Sequence, residues 1–400
     1  MGKNFIYLLF TLFCCAILFS TCEKILPPAP AENELLDGPI PGLTGAENAR
    51  FLKGDIAFND EIFTPQTGLG PLFVATSCGS CHAGDGKGTP FTTLTRFGQT
   101  DHTGNQFLHL GGPQLQHRAV LGVQPEGIPN GATFSRFTPP ANTGLGFLDF
   151  VTDADIVAMS DPDDNNGDGI SGVPNWIYLR EYVASRANAI AQSGKHIGRF
   201  GKKAATYDLL QQTATAYNQD MGITSNFEPY DSYTGHEIDP EVSNQTIQDV
   251  VFYLQTLKVP LPRASENAAV TARKQIFQKI QCAACHRPEL KTGYSPIAVL
   301  SFKTFQPYTD LLLHDMGAAL NDGYTEGSAT TAEWRTPPLW GLGLSKNSQG
   351  GKYFLLHDGR AKSIEEAILL HGGEAQNSKA LYQALSPQEK QQLIQFLESL

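Results

Sequence analysis

The sequence predicts an all-α protein of two tandem helical domains, the first enlarged by loop insertions. Three observations predict it. Two pentapeptides of one kind, Cys78-Gly-Ser-Cys81-His82 and Cys282-Ala-Ala-Cys285-His286, stand about 200 residues apart. Each is followed in the same order by a Thr-Pro-Pro segment, a Gly-Leu-Gly segment and an amphipathic stretch that ends its half. Those two final stretches, 243–257 and 386–400, align without a gap.

Taken from the start, the chain of 400 residues is long enough for two or three cores. Lys3 and Asn4 precede an apolar run from Phe5 to Phe19, too short to span a bilayer, that ends in Ser20-Thr21-Cys22. This predicts a signal peptide over 1–22 and a protein of the periplasm or cell envelope. Cys22 stands where a lipoprotein signal peptidase leaves an acylated cysteine, giving a lipid anchor in a membrane; plain cleavage is the alternative. Residues 23–45, rich in Pro and acidic side chains, read as a tether. The first domain then covers 46–260 and the second 261–400, with Pro260 and Pro262 ending the first closing helix. With 29 Lys and Arg against 40 Asp and Glu the net charge is −11, which repels a polyanion and excludes nucleic acid as a partner.

Of seven cysteines, Cys14 and Cys15 leave with the signal, and four form the two pentapeptides. Disulfides or zinc are the plainer uses of such pairs in an exported chain. Cys-x-x-Cys followed directly by His is instead the attachment signal for c-type haem, and two copies in one chain decide for it. The thiols of Cys78, Cys81, Cys282 and Cys285 take the porphyrin vinyl groups, and His82 and His286 reach the irons, giving two covalently bound haem c.

The closing helices follow from their caps and spacing. Ser243 and Ser386 are N-caps, with Pro387 at the first helical position and Glu389 closing a capping box. Val250, Val251, Leu254 and Leu257 recur at helical spacing, as do Leu393, Ile394, Leu397 and Leu400. Upstream, Thr138-Pro139-Pro140 with Gly144-Leu145-Gly146 matches Thr336-Pro337-Pro338 with Gly341-Leu342-Gly343. Haem motif, loop and closing helix in that order describe a small cytochrome c domain, so the two domains read as cytochrome c-like.

The first half is the longer, about 105 residues from Thr-Pro-Pro to closing helix against about 50 in the second. Its excess holds Asp164, Asn166 and Asp168 before Gly169, the first half of a calcium loop, with Asn175 where the bidentate Glu belongs. A calcium site and a solvated acidic turn are equally good readings. For the sixth position on each iron, the stretch before each closing helix offers His371 in the second half, and Met221 or His236 in the first. His314 and His357 read as supporting residues.

The motifs Leu312-Leu313-His314-Asp315-Met316-Gly317, Glu333-Trp334-Arg335-Thr336-Pro337-Pro338 and Leu356-His357-Asp358-Gly359-Arg360-Ala361, together with the second haem motif, resemble the bacterial di-haem oxidoreductases. These are relatives of the bacterial di-haem cytochrome c peroxidases, and the likeness covers residues 50 to 400. It implies that a C-terminal haem takes electrons from a small donor protein or a quinol-linked donor. It implies further that an N-terminal haem passes them to peroxide or another small oxidant. Matched by position, His371 falls on the distal ligand of the electron-entry haem. Gln212, or equally Gln211, falls on the catalytic amide, Asp220 on the catalytic acid, and His102 nearest the peroxidases' histidine after the first motif. Asp for Glu at 220 shortens the acid by one methylene, and residues 140–143 stand where relatives carry a Met. A di-haem electron-transfer cytochrome without turnover is the second reading. It holds if Met221 binds the first iron permanently.

Overall fold

The computed structural model describes residues 29–98, 107, 110, 113–263 and 268–400. The signal peptide with Cys22, and His102, lie outside them. Six helices frame the site: α1 (Gly45–Asp55), α2 (Leu209–Met221), α3 (Asn244–Thr256), α4 (Ala268–Lys279), α5 (Ile364–Leu370) and α6 (Pro387–Ser399).

Their starts are set by side chains that take the first free amides. Thr44 Oγ1 accepts from Glu47 N, and the Glu47 carboxylate accepts in return from Thr44 N at 2.7 Å. Ser386 and Glu389 repeat that reciprocal cap on α6. Ser243 caps α3 through Thr246 N, and Asp208 caps α2 through Gln211 N. In the first half α1 lies against α3, with Phe51 and Tyr253 rings 4.9 Å apart. In the second, α4 lies against α6, with Phe277 and Phe396 rings 5.6 Å apart. The apolar stripes read from the sequence face inward: Val250, Leu254 and Leu257 are buried on α3 and its end, and Leu393, Leu397 and Leu400 on α6 and its end.

The internal repeat holds at atomic detail. Gly144 N donates to Leu257 O at 3.3 Å and Gly341 N to Leu400 O at 3.1 Å, matching positions of the two closing helices. An added Cβ would stand 1.9 Å from Gln255 O at Gly146 and 2.1 Å from Glu398 O at Gly343. Each Gly-Leu-Gly loop therefore rests directly on helix backbone, where only a hydrogen fits. We expect Gly146→Ala to force loop and helix apart and to cost about 3 kcal/mol, as overpacking does at rigid contacts. Denaturant titration reads this as a lower midpoint with an unchanged slope.

Two expectations are corrected. Helix makes up only 34% of the structure, so the fold is not all-α. Among the described residues five small antiparallel sheets supplement the helices, such as Leu94–Phe97 paired with Phe134–Phe137 and Leu313–Asp315 paired with Glu333–Arg335. These segments lie in long connections that cross the core, and their backbone polar groups find partners across a ribbon rather than along a helix. Phe97 and Phe137 point to the buried side of the first ribbon. The second correction concerns 23–45. Its later part is docked, not free: Leu36 and Ile40 are buried, and Ile40 N donates to Thr256 O at 2.8 Å. Apolar side chains among the prolines anchor it to the end of α3.

The main core is built around α1 and α3 but also takes Leu290, Leu300, Phe305, Leu311 and Trp340 from beyond residue 260. A second core gathers α4, α5 and α6 through Phe277, Ile364, Leu393 and Phe396. No helix among the described residues is long and apolar enough to cross a membrane.

Candidate functional site

One largely apolar cavity of about 610 Å³ reaches both cysteine pairs. Cys78, Cys81 and His82 line one part of it, and Cys282, Cys285 and His286 another. Each pentapeptide coils into a single turn, with His82 N donating to Cys78 O and His286 N to Cys282 O, both at 3.0 Å. That turn sends two thiols and one imidazole toward the same space. No cysteine among the described residues is in a disulfide. Burial pushes the thiols up, Cys78 and Cys282 to about 12 and Cys81 to about 11, so they are protonated at neutral pH.

The two imidazoles are held alike. His82 Nδ1 lies 2.9 Å from Pro140 O, and His286 Nδ1 lies 3.0 Å from Tyr308 O. A carbonyl can only accept, so Nδ1 carries the proton and Nε2 keeps its lone pair. Burial lowers both rings to about 4, which keeps them neutral. Neutral imidazoles with a fixed tautomer, beside paired thiols on an apolar wall, suit the donor set of two haem groups. The carbonyl that fixes His82 belongs to the Thr-Pro-Pro segment, which gives that repeat its purpose in the first half.

His371 lies just past α5. It lines the cavity, its Nδ1 is 2.7 Å from Ala367 O, and its charge acts on His286. Met221 reaches the cavity wall from an apolar cluster with Phe63, Tyr217 and Ile247. His236 is exposed on a surface turn, away from the cavity. His314 is buried between Asp310 Oδ2 at 2.9 Å and Glu374 Oε2 at 2.6 Å, and hydrogen bonds to these carboxylates hold it well above its usual range. His357 stacks flat on Trp334, with centroids 3.7 Å apart.

Asp220 lies at the first motif. Its backbone carbonyl accepts from Val74 N and Ala75 N, which ties the end of α2 to the segment leading into Cys78. Its charge raises the thiols of both Cys78 and Cys81. Burial lifts its carboxyl to about 6, against the opposing effects of the Gln114 amide and the Arg96 charge. Gln114 Nε2 donates to Asp220 Oδ1, while Arg96 donates to Gln219 Oε1 at 2.8 Å and to Glu326 Oε1 at 3.0 Å. Gln211 and Gln212 both line the cavity, but the Gln211 amide oxygen is occupied by Tyr207 N at 3.0 Å. Sequence reasoning missed Gln114 and Arg96. They are 106 and 124 positions from Asp220, and no local pattern marks them.

The acidic loop behaves as a self-contained turn. Asp164 accepts from Gly169 N, Asn166 from Asp168 N and Asp168 from Ile170 N. Asn175, at the twelfth position, is buried elsewhere and accepts from Ser328 N at 2.7 Å. The loop's oxygens thus serve its own amides.

The sequence profile of the family described as "di-haem oxidoreductase, putative peroxidase" matches residues 135–400, two thirds of the chain. The protein is a member of the di-haem oxidoreductase family. Family membership makes haem the cofactor of this di-haem oxidoreductase and gives it a redox function. Among solved structures it is similar to hydrazine synthase of Kuenenia stuttgartiensis, at 15% identity and a TM-score of 0.40, covering 94% of this chain and 98% of that one. A MauG-like protein associated with microbial copper homeostasis is similar at 15% identity and a TM-score of 0.33, over 65% of this chain and 89% of that one. No curated protein matches the di-haem oxidoreductase described here.

Proposed function

We propose that the chain is an extracytoplasmic di-haem c-type oxidoreductase that reduces peroxide or a similar small oxidant. The observation that carries this reading is one cavity that joins both cysteine pairs and bears a buried carboxylate, Asp220, at the first. Cys78 and Cys81, and Cys282 and Cys285, hold the haems covalently. His82 and His286 would each hold one iron, and His371 would be a further ligand of the second. The C-terminal haem would take electrons from a small donor protein or a quinol-linked donor, and the N-terminal haem would pass them on. The mature chain, divided near residue 260, is anchored to a membrane of the cell envelope through lipid on Cys22.

Each haem iron, when bound, changes by one electron, so two together supply the pair that reduces a peroxide to water with two protons. The protein's part is to move those protons. Asp220, held by Gln114 and faced by the Arg96 charge, takes a proton from the bound oxidant and returns it to the departing oxygen. Gln212 lines the same cavity and can orient the oxidant.

The test is to mix the pre-reduced, haem-loaded protein with hydrogen peroxide and follow reoxidation. Fast, stoichiometric reoxidation with a high-spin N-terminal haem supports the reading. Two low-spin haems and no turnover support the electron-transfer reading, which Met221 at the cavity wall favours. A pH profile follows from Asp220. As proton acceptor it must be ionised, so the rate is present above about 6 and falls as pH drops through it.

A further inference from the structure

Of the cations that line the cavity, Lys87, Lys202 and Arg335 act on one another. They face one another closely enough that the charges of Lys87 and Arg335 both act on Lys202, and Lys202 acts on His82. Among the described residues no hydrogen bond or ion pair engages Lys87 Nζ or Lys202 Nζ. The neighbouring Lys203 shows what a structural lysine looks like here. Its ammonium donates to Thr330 O at 2.9 Å and Glu333 O at 2.8 Å and lies 3.8 Å from the Trp334 ring centroid. Lys202, one residue earlier, lines the cavity, and Lys203 does not.

The backbone fixes this arrangement. Arg335 N donates to Lys202 O at 3.0 Å, and Arg335 Nε donates to Gly201 O at 3.0 Å, so the guanidinium is held against the peptide that carries Lys202. Lys87 is held by Ser348 Oγ, which donates to Lys87 O at 2.9 Å. The nearest anions are already committed. Asp358 binds Arg360 Nε at 2.7 Å, and Asp310 binds His314 Nε2 at 2.9 Å. Like charges gathered on an apolar wall without counter-ions are costly, and a ligand carrying carboxylates removes that cost.

Resting on the haem reading above, we propose that Lys87, Lys202 and Arg335 form the carboxylate cradle for the propionate groups of the haem joined at Cys78 and Cys81. Haem has an apolar ring and two propionates, so it matches an apolar cavity with one cationic corner. The cradle lies beside His82, so its positive charge also favours the reduced, more negative state of that iron.

The test uses the full chain matured with haem, with Lys202→Met, Lys87→Met and Lys202→Arg made separately. Intact mass gives the haem count, and spectroelectrochemistry gives each midpoint potential. The cradle predicts that both Met variants keep two haems and lower the N-terminal midpoint, while Lys202→Arg holds it. Loss of one haem in the Met variants alone, with Lys202→Arg fully loaded, supports it equally. Unchanged midpoints in both fully loaded Met variants overturn it. A parent chain carrying no haem overturns the underlying haem reading instead, and intact mass shows that before any variant is made.

Discussion

Replacing both Cys78 and Cys81 by alanine is expected to leave the matured protein lighter by one haem and to halve its porphyrin absorbance. The same holds for Cys282 with Cys285. Both pairs are free thiols in single turns on the wall of one apolar cavity, so each turn offers two thiols to one porphyrin. The loss should reach beyond the cofactor count. The porphyrin would pack against the apolar lining in the folded state, and without it that lining faces water or an unfilled space. The thermal midpoint of either double variant should therefore fall well below that of the parent. Intact mass and calorimetry on the same preparations check both parts. Two haem masses on the Cys78→Ala, Cys81→Ala protein would contradict the assignment outright.

Asp220→Asn is the second large effect. The amide oxygen of Asn can still accept from Gln114, so local structure is kept while the ability to exchange a proton is removed. Peroxide turnover should drop by about 10²–10⁴-fold, the usual contribution of a positioned acid–base group. Haem content and the visible spectrum should not change. The fall in rate below about pH 6 should vanish with the carboxylate. Full turnover in this variant would remove Asp220 from the chemistry and leave the proton route to other groups.

How much of this was legible in the sequence depended on how local each signal is. Ser243, Ser386 and Glu389 announced helix starts because a cap acts within three residues. The two pentapeptides announced a cofactor because their chemistry is contiguous. The ribbons were illegible. Leu94–Phe97 is a strand because Phe134–Phe137 lies beside it, about 40 residues on, and four residues carry too little periodicity to reveal that. The partners of Asp220 were hidden for the same reason, since Gln114 and Arg96 reach it from another connection. Lys202 and Lys203 are the same residue type side by side, yet one is satisfied by carbonyls and the other faces the cavity. Only the direction of the backbone at Gly201 to Ala204 separates them. Residues 36–40 looked like linker because they lie in a stretch, 23–45, where prolines and acids outnumber the two buried side chains, Leu36 and Ile40, that anchor it.

The packing across residue 260 has a consequence for how this molecule can change. Phe147 rests on Phe305 with centroids 5.2 Å apart, and the ring of Trp340 lies where a side chain on Gly144 would go. These contacts make each half part of the other's packing. Severing the chain at the seam, or grafting one half from a distant cousin, would strip aromatic wall from the first core. Either half exchanged alone would have to bring side chains that match these contacts.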